Sequence, residues 1–439
     1  MKTWMRTAAA VMLILFLAGC SAPEAASIEE RPDGSGAAAD PAGSVYWLNA
    51  DPEADGAIRS VASLYEELTG VSVRVSTPEM GAYQEVLREQ MDGTRPPSLF
   101  VITSQNALDE WQDRALDLTG TPIASECTSD VFLLRGENGR IAAAGYAFEA
   151  FGIVVNMDLL AKAGHHVSDI RDFATLAAIV QDIHVRSREL GFDAFTSNPL
   201  GLSSSWRYTG HLANLVYYYQ QHGTMWTSAP PQITDEYLPN YHDLYDLIIN
   251  NSMAAPAHLT DGGHDPISEF CAGEAAFCLD GGWSWDEIRG IVPHATLIPY
   301  YCGVSGEENA GMNCGTQGRN WAVNAEVSEA DQQATLDFME WCVTDPEASA
   351  ILVDAFGAMP YRQAAAPVND LLGAAHQYTL DGRYVMNWAY LLQPEPDLYR
   401  EGLVEALTKY VQDQSAVNWQ LFTEAFVGGW AEFYRAEQQ

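Results

Sequence analysis

The stretch Gly145-Tyr-Ala-Phe-Glu-Ala-Phe-Gly-Ile-Val-Val-Asn-Met-Asp-Leu-Leu160 constrains this chain more than any other. It reads as one extended run over residues 141–156 that passes straight into a helix starting near Met157. Glu149 lies inside the run, flanked by Phe148, Ala150 and Phe151. An unpaired carboxylate in an apolar strand is costly. Two arrangements relieve that cost. In one, Glu149 is paired with an arginine in a core strand. In the other, the strand leaves one lobe, crosses a cleft and enters a second lobe, so that Glu149 meets a hydroxyl-bearing or cationic ligand there.

The flanking pattern fits two lobes. Val45-Tyr-Trp-Leu-Asn49 reads as a strand, residues 57–68 as a helix closed by Thr69-Gly70, and 71–75 as a second strand. A helix over 79–91 and a strand over 99–103 follow. This alternation opens a doubly wound α/β lobe, in which ligands sit at the carboxyl ends of strands. Those ends are 49–51, 76–83 and 104–106. After the crossing, helical patterns cover 173–190, 206–221 and 235–250, and a short strand at 275–279 leads into the turn Asp280-Gly-Gly-Trp283. Residues 321–324 read as a strand returning to the first lobe, with helices at 330–342 and 346–356. Gly357-Ala-Met-Pro-Tyr361 reads as a third crossing, and residues 397–434 as two helices closing over the second lobe. The expected organisation is a first lobe of 44–150 and 321–357 and a second of 151–320 and 358–439, joined near 149–152, 318–321 and 357–360.

The crossing followed by Val-Asn-Met-Asp-Leu-Leu160 resembles that of bacterial ABC-transporter solute-binding proteins of extracellular family 1, the oligosaccharide cluster that includes maltose-binding proteins. The likeness recurs at 45–51, 69–75, 97–106, 280–285 and 320–324. It implies a two-lobed, type II periplasmic-binding-protein-like α/β fold whose doubly wound lobes meet at a hinge of three crossings. Trp47-Leu-Asn-Ala-Asp51 is similar to the family's sugar-contacting first loop, which implies Asp51 as an acceptor; Pro52 stands where relatives often carry a lysine. Gln105 and Asn106 fall where relatives place an acid and a base. Asp280-Gly-Gly-Trp283 resembles the turn that presents a stacking indole. Ser203-Ser-Ser-Trp-Arg207 and His211-Leu-Ala-Asn214 look like a segment of a gut-bacterial subgroup, with Ser204, Trp206 and Arg207 opening a helix toward the cleft or, alternatively, capping it and filling a core. Strand ends and crossings add Asn49, Tyr83, Gln317, Asn320 and Tyr361 to Glu149 as candidate ligand contacts. Aromatic faces and planar polar groups suit sugars.

At the N-terminus, Lys2 and Arg6 precede an apolar segment over 8–18 that is too short to span a bilayer. Leu17-Ala-Gly-Cys20 resembles a bacterial lipobox, implying removal of residues 1–19 and lipid on Cys20. Residues 20–43 read as a flexible tether. The chain is expected to be an extracytoplasmic monomer held at the cell membrane by that lipid. Its formal charge of −37 over 439 residues excludes nucleic-acid binding by a basic patch. Beyond Cys20, six cysteines permit disulfides, and Cys302–Cys314, bracketing a glycine-rich loop, is the favoured pair.

Other signals lead nowhere. The segment Asp51-Pro-Glu-Ala-Asp55-Gly56 imitates a calcium loop, but its twelfth position is Ala62. Tyr217-Tyr-Tyr219, His165-His166 and Asp261-Gly-Gly-His264 lack the spacing of metal sites, and no phosphate loop or nucleophile elbow is present. No cofactor is expected. The leading expectation is a solute-binding protein that captures a carbohydrate, an oligosaccharide by the resemblance, in the cleft between its lobes and delivers it to ABC permease subunits without doing chemistry. The competing ones are a polyamine or other cation binder of the same fold, a secreted glycosidase using Glu149 and Asp280, and a surface-adhesion lipoprotein with a vestigial cleft. Polar residues at every strand end argue against the last. The lipid anchor has a direct check: Cys20→Ala is expected to move the protein from the membrane to the soluble fraction, and unchanged membrane association would refute the anchor.

Overall fold

The computed structural model describes residues 43–136 and 139–438. The signal segment, Cys20 and the tether through residue 42 lie outside the described residues, as does the side chain of Asn106. Twelve strands are present among the described residues: β1 (Val45–Leu48), β2 (Val73–Ser76), β3 (Leu99–Ile102), β4 (Leu133–Arg135), β5 (Ile141–Gly145), β6 (Glu149–Asn156), β7 (Asp193–Phe195), β8 (Ala275–Gly281), β9 (Ala295–Ile298), β10 (Ala310–Gly315), β11 (Asn320–Val323) and β12 (Tyr384–Asn387). They form two six-stranded sheets. The first runs β2-β1-β3-β11-β5-β4; the second runs β12-β10-β6-β8-β7, with β9 also paired to β6.

In the first sheet β1, β2 and β3 are parallel, and β11 enters antiparallel between β3 and β5. All four residues of β3 are fully buried, as a parallel strand covered on both faces requires. Helix Asp55–Thr69 covers this sheet through Ile58, Val61, Ala62 and Tyr65, a spacing that sets one apolar stripe inward, and it ends at Gly70. Helices Glu329–Thr344 and Pro346–Phe356 complete that core with Phe338, Met339, Leu352 and Phe356. In the second sheet β6 is the central strand. Phe151, Ile153 and Val155 face a core shared with the C-terminal helices, while Ala150 and Val154 face the first core, the period of two expected of a strand buried on both sides. The tail consists of helices Pro396–Gln412, Ala416–Thr423 and Gly429–Glu437, the last two joined by a π turn, and it packs Tyr399, Phe422, Phe426 and Trp430 onto the second core.

The extended run expected over 141–156 is two strands in different sheets. β5 ends at Gly145 and β6 begins at Glu149. The residues between them bond to the other two crossings: Tyr146 N–H donates to Arg319 O (2.9 Å) and Phe148 N–H to Ala358 O (3.1 Å). The Tyr361 hydroxyl closes the knot on Gly145 O at 2.8 Å. Tyr146 stacks on Trp321, which meets Trp47 edge-on at 5.5 Å, so the hinge is also an aromatic core.

The expected Cys302–Cys314 bridge is not formed; Cys127, Cys271, Cys278, Cys302, Cys314 and Cys342 are all free thiols. Cys302 belongs to the second core and Cys314 to the first, so the glycine-rich loop between them does not bring their side chains together. No helix among the described residues is long and apolar enough to cross a membrane.

Gly318 holds the second crossing in place. Its φ is +79°, and a Cβ there would sit 2.3 Å from the carbonyl oxygen of Thr103. Gly318→Ala is therefore expected to destabilise the protein by at least ~1–3 kcal/mol through backbone strain and steric conflict. Urea unfolding checks this; an unchanged midpoint would show that the crossing tolerates a side chain.

Candidate functional site

A cavity of about 540 Å³ lies between the two sheets at the second crossing. Thr103, Ser104 and Gln105, at the carboxyl end of β3, form one side. Residues 314–318 and Asn320 form the floor. The segment 387–392, with Met225 and Trp226, forms the other side. Ser104 caps helix Gln105–Trp111, accepting from Ala107 N–H at 2.9 Å, which fixes the loop that carries Gln105. Gly315 lies flat against the Trp388 ring; a Cβ at that position would be 2.4 Å from the indole. Gln317 adopts a left-handed conformation at φ +49°, a strain that non-glycine residues carry where the surroundings impose it.

None of the lining residues is charged, although the chain as a whole carries a formal charge of −37. Two polar atoms on the lining residues lack hydrogen-bond partners: Asn320 Oδ1, an acceptor, and Trp388 Nε1, a donor. The Asn320 amide nitrogen is fixed on Ile102 O at 2.8 Å, which orients its oxygen. Each such orphan costs ~1–3 kcal/mol, and both atoms are shut off from the cavity space in this arrangement, so a ligand would meet them only after neighbouring groups shift.

An aromatic wall continues from this cavity along the second sheet. Trp388 and Tyr390 pack against His211, which stacks on Phe151 at 4.3 Å; Trp206 and Trp283 lie beyond, 5.6 Å apart. Trp283 is 38% exposed and folds back over Gly281, and an added Cβ at Gly281 would strike its ring. His211 is buried, its Nδ1 has no partner, and desolvation holds its pKa well below the usual histidine value.

The remaining predicted residues fall into three groups. Gln105, Gln317 and Asn320 line the cavity together. Asp51 and Glu149 stand beside it. Asp51 forms an ion pair with Arg319 (3.0 Å), and the Glu149 carboxyl approaches Gly282, with Oε2 unpartnered. Desolvation raises the Glu149 pKa to about 7, against a smaller lowering by Arg319. The third group is spent internally. Asn49 ties the turn to Asp51, accepting from its N–H at 3.0 Å. The Tyr83 hydroxyl accepts from Val101 N–H at 2.6 Å, and that of Tyr361 donates to Gly145 O. Ser204 caps a local turn on Gly201.

Asp280 is almost fully buried against Arg207, whose guanidinium also lies over the Trp206 ring at 4.2 Å. Glu149 and Asp280, the pair a glycosidase would use, lie on neighbouring strands of one sheet, with Gly152 opposite Asp280. The segment carrying Trp206 and Arg207 was expected to open one helix over 206–221; it forms a buried π turn, Arg207–Leu212, and then helix Asn214–Gln220.

Sequence reasoning passed over Trp226, Arg319, Trp388 and Tyr390. The cluster Asn387-Trp-Ala-Tyr390 carried a signal, two aromatics and an amide directly after a short strand, but no periodicity connected it to the cleft.

Residues 60–378 match the family described as bacterial extracellular solute-binding protein. Among curated proteins none matches the chain. Among solved structures, apo RafE from Streptococcus pneumoniae is similar at 16% identity with a TM-score of 0.65, covering 90% of this chain and 98% of that one. RafE in complex with raffinose gives 17% identity and a TM-score of 0.53, covering 88% of this chain and 100% of that one. The cyclic alpha-maltosyl-1,6-maltose binding protein from Arthrobacter globiformis gives 16% and 0.59, covering 90% and 99%. The family match spans most of the folded body and the structural matches show the same two-lobed architecture, so the chain belongs to the bacterial extracellular solute-binding proteins.

Proposed function

We propose that this chain captures a carbohydrate between its lobes and delivers it to ABC permease subunits while held at the membrane by lipid on Cys20. The observation that carries the sugar reading is the uncharged cavity lined by the amides of Gln105, Gln317 and Asn320 and the rings of Trp226, Trp388 and Tyr390. Sugars supply hydroxyls that both donate and accept, together with C–H faces that pack on rings. Relatives of this fold include one in complex with raffinose and one named for binding a maltosyl-maltose.

The same lining weighs against a polyamine, which would need carboxylates, and none is among the lining residues. A glycosidase would need two available acids, whereas Asp280 is locked by Arg207. Closure then requires only that the ligand bind the closed arrangement better than the open one. Asp51 and Arg319, ion-paired beside the cavity, would be drawn into the ligand's contacts as the lobes close.

A thermal-shift screen of mono- and oligosaccharides and polyamines tests this reading, since a ligand of the folded state raises the melting temperature. Sugars are expected to score and polyamines not. With the best sugar, Trp388→Ala and Trp283→Ala are each expected to weaken binding roughly 30-fold, the equivalent of about 2 kcal/mol for a lost aromatic anchor. Unchanged affinity in both variants would place the site elsewhere, and a loss confined to Glu149→Gln would favour a cation.

Glu149 also gives a pH test of the ligand-free protein. Its folded pKa, about 7, lies above the ordinary carboxylate value of 4.5, so the folded state holds the proton more tightly than the unfolded state. Stability is expected to fall as pH rises from about 4.5 to 7 and then level off. Glu149→Gln should remove this slope, as measured by urea midpoints across that range; an unaltered slope would assign it to another group.

A further inference from the structure

Three charged side chains stand near one another at the crossings, and none of them lines the 540 Å³ cavity. Asp51 follows β1 in the first lobe, Glu149 opens β6 in the second, and Arg319 sits on the second crossing, between β10 and β11. Backbone pairing fixes their spacing. Tyr146 N–H, three residues before Glu149, donates to Arg319 O, and Glu149 pairs with Gly315 across β6 and β10. The arginine has donors to spare. Its Nε and Nη2 both go to a single oxygen, Asp51 Oδ2, at 3.2 and 3.0 Å, and Nη1 makes a long contact with Gln317 Oε1 at 3.4 Å. A guanidinium can serve two carboxylates from its two edges. Glu149 has the opposite deficit: its Oε2 is buried without a partner. The other groups around it supply no positive charge. Tyr146, on its own crossing, carries a buried hydroxyl without a partner. β10 brings Gly315 and Cys314, whose thiol burial keeps protonated. The turn after β8 brings Gly282, and Asp280 on β8 is committed to Arg207. Helix Asp370–Leu380 brings Leu372, against Gly282, and His376, which packs on Phe148 and lies with Nε2 3.2 Å from Tyr361 O; burial disfavours its charged form. The cation whose field does reach Glu149 is Arg319.

We propose that Arg319 is a shared cation of the hinge: when Glu149 ionises, the Asp51–Arg319 pair becomes a bridge, Asp51–Arg319–Glu149, that ties the first lobe to the second and favours their closure. A buried, ionised carboxylate without a partner is costly, so ionisation selects the arrangement that supplies one. The direction follows from linkage. Burial without a partner holds the Glu149 pKa at about 7 in the arrangement described here, and contact with Arg319 in the bridged arrangement lowers it. The bridged form therefore binds fewer protons. Closure gains as pH rises, by at most about tenfold per pH unit, and stops gaining above about 7. By reciprocity, a solute that closes the lobes drives a proton off Glu149. The inference rests on the reading that the lobes close on a solute, and it holds whether or not that solute is a sugar.

The test needs no ligand. The intact protein, kept soluble by Cys20→Ala, is followed by small-angle X-ray scattering from about pH 5 to about pH 8.5 at fixed ionic strength. The side-chain Nε–Hε NMR signal of Arg319, identified by its loss in Arg319→Lys, is followed over the same range. The radius of gyration is expected to fall as pH rises and to level off above about 7, with the Arg319 signal shifting in the same window. Glu149→Gln, Asp51→Asn and Arg319→Gln should each abolish the compaction, since each removes one member of the bridge. Glu149→Gln alters one acid of 59 and so also reports any general effect of charge on size. A cooperative urea transition in each variant shows that it folds. An Arg319 signal that ignores Glu149, or a radius as pH-dependent in Glu149→Gln as in the parent, would overturn the shared cation and leave solute capture between the lobes standing. An Arg319 shift without compaction would overturn the link to closure. Failure of the parent to compact with any solute of the thermal-shift screen, at any pH, would instead overturn the reading on which the inference rests.

Discussion

The structure depends on a small set of hydrogen bonds to backbone carbonyls where three chain crossings lie side by side. Tyr146 N–H reaches Arg319 O, Phe148 N–H reaches Ala358 O, and the Tyr361 hydroxyl reaches Gly145 O. Buried peptide groups must be paired, and in a crossing neither sheet can pair them. Each crossing therefore completes the others, and no lobe can be assembled without chain drawn from distant parts of the sequence. The buried aromatic cluster of Tyr146, Trp321 and Trp47 lies beside these bonds and helps keep water from them, which strengthens them. Close packing around Gly315 and Gly318 then leaves the second crossing thin enough for a cavity to open beside it.

Much of this was legible in sequence, and the pattern of misses is physical. The alternation of strand and helix in residues 45–103 announced the first lobe because each element there is local and periodic. The acid inside the apolar run marked the neighbourhood of the hinge, since Glu149 opens β6 directly after the crossing. The run itself was misread as one strand, because apolar content does not show where hydrogen bonds change partner. Gln317 and Asn320 stand at a crossing, a position that topology alone selects, whereas Gln105, at a strand end, was also marked by the family resemblance. Asp280 and Arg207 looked like ligand groups because sequence cannot show that two charges far apart in the chain neutralise one another. Trp388 and Tyr390 were missed for the converse reason. They follow a short edge strand in a region without periodicity, and only the tertiary fold brings them across to Gly315.

The electrostatic layout sorts charge by place. A protein with 59 acids against 22 lysines and arginines keeps all of them off the lining of the Trp388 cavity. Three acids at the crossings and along the second sheet are held in ways that limit their reach. Asp51 is held by Arg319, Asp280 by Arg207, and Glu149 is half-neutralised near pH 7 by burial. Surface acidity thus keeps the molecule soluble without deciding what enters the cavity. Selection is left to shape, to rings and to the neutral polar side chains of the lining.

The six unpaired cysteines bear on how such a chain matures outside the cytoplasm. Five are buried, and burial pushes the thiols of Cys127 and Cys302 up to about 12, so almost no nucleophilic thiolate is present at neutral pH. Exchange with a disulfide partner begins from thiolate, so burial slows oxidation and scrambling at the five covered thiols once the fold is complete, and leaves partly buried Cys271 as the thiol most open to either. For the five, the exposed interval is the one before folding, when the same side chains are open to one another.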